Sequence, residues 1–199
     1  LRHSNCWSEA TKLTVAGQAK LSMYADDVTS FDLNVRSIQK VLELFGIFGE
    51  ASGARFNRIK CKGIIFGPQP TDKAPVADIS WVENVKIYGV YFGHQSKNVN
   101  KSFLLEKLKA TISALSKVSA TFRGKSTILN SLVLASLWFA GFVVHLGNKF
   151  ASQVEKMTFK FMWRTTEYVA RDTLQLPKTR GGLGVLNVKK RLSALRVMH

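Results

Sequence analysis

The sequence predicts an α+β fold, with antiparallel strands and a packed helix in the first half and helices alone in the second. Three observations predict it. Two strand-like runs, Lys20–Tyr24 and Val28–Phe31, flank the acidic pair Asp26-Asp27. From Lys101 onward the pattern changes to helical stripes of apolar residues. Charge divides the same way: residues 1–100 hold 12 Lys and Arg against 9 acids, and residues 101–199 hold 17 against 4.

Thr14-Val15-Ala16 before Gly17 reads as a short strand and turn. Leu21, Met23 and Tyr24, then Val28, Thr29 and Phe31, favour strand, while Asp is a turn residue. A β-hairpin with Asp26 and Asp27 at its tip follows. Adjacent carboxylates repel, an arrangement tolerated at a solvated turn or where a divalent cation neutralises it. Hard oxygen ligands on a hairpin suit Mg²⁺, which takes one or two carboxylates plus substrate phosphates. Asp32 or Asn34 then caps a helix whose stripe is Leu33, Ile38, Val41, Leu42, Phe45 and Phe48, ending at Gly53. One apolar face implies packing on the hairpin sheet. Ile59–Phe66 reads as a strand stopped by Gly67-Pro68, residues 68–80 as a loop, and Lys86–Gly93 as two short strands bent at Gly89. Tyr88 and Tyr91 are open to two readings, core residues or contacts to nucleic acid.

In the second half, a helix from Lys101 carries Phe103, Leu104, Leu108, Ile112, Leu115 and Val118. Phe122-Arg123-Gly124-Lys125 reads as a break, with Ser126 capping a second helix to about Val144. Ser126–Asn148 has no charged residue. It is read as a buried helix, with a membrane span as the alternative: Ser126, Thr127, Asn130, Ser131 and Ser136 interrupt it, and Lys125 and Lys149 bracket it. A third helix covers roughly Ala151–Trp163. After Pro177 and Gly181-Gly182-Leu183-Gly184, a basic helix runs from Asn187.

The chain has 199 residues, 46% of them hydrophobic, which is enough for a core and excludes disorder by composition. No basic run followed by an apolar run opens it, so no signal peptide is read, and Leu1 and His199 suggest a piece of a longer protein. Cys6 and Cys61 lack partners at zinc spacing, and His3, His94, His145 and His199 are scattered. This points to a reduced intracellular setting. A net charge of +16 fits binding of nucleic-acid phosphates, with a solvated basic surface as the bland alternative.

Tyr24-Ala25-Asp26-Asp27 resembles the catalytic hairpin of reverse transcriptases. Ser52-Gly53, Phe56-Asn57, Lys60 and Phe66 look like the segment after that hairpin in non-LTR (LINE-type) retrotransposon enzymes. Lys86–Gly93 is similar to their primer-grip hairpin, with Tyr88 where leucine is usual. The helical series through Phe159-x-Phe161-Met162-Trp163 to Gly181-Gly182-Leu183-Gly184 is similar to their thumb and the segment after it. The resemblance implies a partial polymerase palm over residues 1–97, a helical thumb over 98–168 and a basic segment over 169–199. It implies a fragment of an RNA-directed DNA polymerase, working by two-metal nucleotidyl transfer when intact, with Asp26 and Asp27 as Mg²⁺ ligands. Lys60 is then a general-acid candidate for the leaving pyrophosphate, or else a contact to phosphate or water. Tyr24, Tyr88, Gly89, Arg123 and Lys125 are implied contacts to primer and template. The implied partners are an RNA template, a DNA primer and deoxynucleoside triphosphates, with no membrane, in a cytoplasmic and nuclear ribonucleoprotein. A palm also needs an aspartate from an earlier strand, and no Asp precedes Asp26 here. The alternative is a catalytically inactive nucleic-acid-binding fragment.

Overall fold

The computed structural model describes residues 20–24, 26–32, 34–66, 79–163 and 166–197. The expected strand at Thr14–Ala16 and most of the expected loop at 68–80 lie outside them. The chain is α+β and divides into two compact units, Leu1–Val82 and Glu83–His199. The boundary assigns the strand pair after Glu83 to the helical unit, whereas the domain edge read from sequence lies at residue 97.

In the first unit, β1 (Lys20–Tyr24) and β2 (Asp27–Phe31) form an antiparallel pair in which Lys20 faces Phe31 and Tyr24 faces Asp27. The helix α1 (Val35–Ser52) starts at Asn34, whose side chain accepts the Ser37 N–H at 2.9 Å, satisfying one of the open donors of the first turn. It ends at Gly53, which takes the left-handed conformation (φ 74°) and returns its N–H to Gly49. Its apolar stripe is only partly covered: Val41 is buried, Phe45 stacks on Phe56 at 5.1 Å, and Ile47 and Phe48 remain exposed.

The strand expected over Ile59–Phe66 is shorter than the sequence suggests. Arg58–Lys60 forms a single 3₁₀ turn, and only β3 (Lys62–Gly63) is strand, paired in parallel with β4 (Ser80–Trp81). The cause is local. The Asn57 side chain accepts the Lys60 N–H at 3.3 Å, and this turn competes with extended backbone. Gly63 lies under the Trp81 ring, where a Cβ would stand 2.6 Å from a ring carbon.

In the second unit, β5 (Asn84–Ile87) and β6 (Val90–Gly93) form an antiparallel hairpin turning at Tyr88-Gly89, as the sequence indicates. The first long helix, α2 (Ser96–Leu115), begins five residues before the expected Lys101. The expected break at Phe122–Lys125 is instead the start of α3 (Phe122–Ile128): Thr121 caps it by accepting the Gly124 N–H at 3.2 Å. Ser126 is therefore inside the helix, buried, with its hydroxyl donating to the Leu183 carbonyl at 2.9 Å. A π turn over Leu129–Val133 leads into α4 (Ala135–Val143), with Leu134 bonded back to the Leu129 carbonyl.

Phe122–Val143 is long and apolar enough to cross a membrane by length and composition. Leu129, Val133, Leu134 and Leu137 from it are buried in the core, while Leu132 and Phe139 are exposed. α5 (Gly147–Trp163) adds Phe150, Val154, Phe159 and Met162; α7 (Val188–Val197), capped by Asn187, adds Val188 and Leu192. Each fully buried side chain of this size stabilises the fold by about 2 kcal/mol. α4 and α7 approach closely at Gly141, where a Cβ would meet the Leu192 methyl at 2.3 Å. The short α6 (Arg171–Gln175) anchors the segment before α7 through Leu174.

Candidate functional site

The tip of the first hairpin presents the acidic pair. Asp26 stands in the turn, and Asp27 is the first residue of β2, across from Tyr24. All three are exposed. The strand pairing holds Asp27 and Tyr24 in fixed register, so the geometry brings together these three site residues predicted from sequence. Two exposed carboxylates on one turn fit a hard cation that takes one or two carboxylates and fills its remaining positions with water or phosphate oxygens. Among the described residues, no group of three or more His, Cys, Asp and Glu side chains converges to hold a metal by itself.

Lys60 is exposed on the 3₁₀ turn of the same unit, its backbone fixed by Asn57 and its side chain at the surface. Asn57 and Lys60 are three residues apart, the spacing of a cap and the N–H it accepts. The neighbouring Cys61 is half-buried, and burial pushes its thiol above the ordinary range, partly offset by Arg58.

In the second unit, Tyr88 and Gly89 occupy the two central positions of the β5–β6 turn, with φ of 50° and 84°. Positive φ at both positions gives the turn the twist of the flanking strands. Tyr88 is half-buried and Gly89 exposed. Arg123 and Lys125 lie on α3. Arg123 is exposed, and its carbonyl accepts the Ser126 and Thr127 hydroxyls. Lys125 is half-buried. Its ammonium donates to the Met162 carbonyl at 2.9 Å and lies 5.4 Å from the Phe122 ring centre. It thus satisfies an open carbonyl at the C-terminal end of α5, where a cation is also favoured by the helix dipole.

Two further features of this unit are built by the fold, the first of them not singled out by the sequence reading. One is a ring group in which Phe122 and Trp163 have centroids 4.9 Å apart, and Trp163 and Tyr168 5.7 Å apart. Its members come from α3, α5 and the segment after α5, so only the fold assembles them. The other concerns Gly181-Gly182-Leu183-Gly184. Leu183 and Val185 donate to the Leu174 carbonyl and Gly184 to that of Leu176, while Asn130 accepts the Leu186 N–H and donates to Gly184. This glycine word is a packed turn; its signal in sequence was the spacing of Gly around an apolar residue after Pro177.

No protein-family model matches the chain. It is similar to the uncharacterized 149 kDa protein of transposon TX1 from Xenopus laevis, at 26% identity over 187 residues. The similarity covers 90% of this chain, which spans 14% of that protein's length, so what is shared is a relationship to a transposon protein over one segment.

Proposed function

We propose that the chain is a segment of a retrotransposon reverse transcriptase, contributing the carboxylate hairpin of the palm and a basic helical thumb. The observation that carries this reading is the Tyr24–Asp27 hairpin, which presents two exposed carboxylates at its tip opposite an aromatic residue. The similarity to a transposon protein along nearly the whole chain supports it. In this reading Asp26 and Asp27 would hold Mg²⁺, which supplies charge neutralisation to phosphoryl transfer. The chain's own contributions are positional. The hairpin pairing holds the carboxylates at a solvent-facing tip, Lys60 offers an ammonium to phosphate oxygens, and the basic second half binds the template–primer backbone. Such a protein works on an RNA template and a DNA primer with deoxynucleoside triphosphates, in an intracellular ribonucleoprotein.

A second reading, a nucleic-acid-binding segment without catalysis of its own, is favoured by the 17 basic residues against 4 acids in residues 101–199. The two readings share phosphate binding and differ in metal use. Binding of primed RNA should weaken by at least tenfold between 50 and 200 mM salt, because each neutralised phosphate releases counterions. Affinity independent of salt overturns both readings. Mg²⁺ titration followed by NMR should perturb the Asp26 and Asp27 resonances at low millimolar concentration, and Asp26→Asn with Asp27→Asn should abolish the response. A response unchanged in that variant removes the carboxylate hairpin from the proposal. The 199 residues alone, given primer, template, Mg²⁺ and nucleotides, are expected to extend no more than that double variant.

A further inference from the structure

We infer that Phe122, Trp163 and Tyr168 form a stacking platform for the bases of single-stranded nucleic acid. The inference rests on the nucleic-acid-binding part of the function proposed above and names the place and strand state of one contact. The three rings are contiguous, with centroid separations of 4.9 and 5.7 Å. Core packing does not account for Tyr168 and Phe122, which are 75% and 47% exposed, while half-buried Trp163 packs against the core and lies beside both. An exposed ring pair costs hydration free energy that a core contact would have recovered.

Charge around the platform selects the occupant. Arg123 follows Phe122 and is exposed, and exposed Lys160 lies one turn before Trp163 on α5. The nearby acid, Glu167, is held by the Arg171 guanidinium, with one bond at 2.8 Å. Aromatic faces flanked by cations complement a polyanion whose bases are unpaired: the rings take base faces and the cations take phosphates. A duplex keeps its base faces stacked internally and offers the same rings only backbone and groove edges.

The test compares anisotropy-measured affinity of the full chain for a single-stranded 12-mer, as RNA and as DNA, and for the corresponding duplexes. Tyr168→Ala should weaken single-strand binding roughly tenfold on loss of one stacked base. Tyr168→Phe should restore it, and duplex affinity should stay within about twofold. Tyr168 is largely exposed, so its truncation leaves the core intact; circular dichroism and the melting midpoint check this. A similar Tyr168→Ala loss on RNA and DNA places the contact on the bases, and a loss on RNA alone adds a 2′-hydroxyl contact; both support the platform. No loss on either strand, an equal loss on duplexes, or failure of Tyr168→Phe to restore binding overturns it while leaving salt-sensitive phosphate binding standing. Absence of all nucleic-acid binding by the unmodified chain overturns both.

Discussion

The carboxamide of Asn100 meets both backbone groups of Tyr91: it accepts the N–H at 2.8 Å and donates to the carbonyl at 2.7 Å. A second bond runs from its amide to the Ser96 carbonyl at 2.8 Å. Among the described residues β6 pairs with β5 alone, so these groups would otherwise be open, and a buried polar group left without a partner costs about 1–3 kcal/mol. Asn100→Leu should therefore destabilise the chain by about 3 kcal/mol in urea unfolding, although it increases helix propensity; a change under 1 kcal/mol would show that water replaces the carboxamide. Asn100 was legible in principle. It precedes Leu104 and Leu108 at four-residue spacing, a single polar member of a buried stripe. Glu167 gives a smaller effect with a defined sign. The hydrogen bond from Arg171 holds its carboxyl below the usual range. A carboxyl depressed in the folded chain contributes stability above its unfolded pKa and loses it as pH falls through the folded value. Glu167→Gln should remove that acid-side loss, by under about 1 kcal/mol because the pair is exposed.

Elements whose turn chemistry is written in the residues at the turn were the legible ones. The first hairpin, the Asn34 and Gly53 ends of α1, the Gly89 bend and the Asn187 start of α7 all follow from short-range rules. The misread elements involve a competing local bond or a distant partner. Asn57 diverts Lys60 from strand to 3₁₀ turn, Thr121 captures the helix start assigned to Ser126, and Ser126 is held instead by Leu183, 57 residues away. The ring group was illegible for the second reason. At the Tyr88-Gly89 turn the cost of a side chain can be isolated, since nothing lies within 4 Å of a Cβ added to Gly89. Gly89→Ala should then cost only the left-handed backbone penalty, about 1–2 kcal/mol. Gly89→Asn should lose less, because Asn tolerates that conformation. Equal losses for the two would mean that the turn changes type. Gly182→Ala is expected to be far worse, as its Cβ would stand 2.0 Å from the Leu176 carbonyl oxygen.

At the scale of the whole molecule, 29 basic residues against 13 acids make the folded chain repel itself. Salt then acts on the free chain and on its nucleic-acid complex with opposite signs. Screening shortens from a Debye length of about 14 Å at 0.05 M to about 5.5 Å at 0.3 M, so repulsion among surface cations fades and the free chain should melt higher. The same salt returns counterions to the phosphates and weakens the complex. Ligand at 100 times its Kd adds about 2.7 kcal/mol to stability, and that increment shrinks as Kd rises. Melting curves with and without a fixed concentration of single-stranded RNA should therefore converge as salt increases, with the free curve rising toward the bound one. If the basic residues are instead a solvated surface with no polyanion partner, the two curves coincide at every salt concentration. If the free chain melts lower in higher salt, local ion pairs outweigh self-repulsion. Among the described residues the ion pairs argue against that outcome: Glu167–Arg171 lies at the surface, and Glu155–Lys189, at 3.5 Å, joins a buried acid to an exposed lysine.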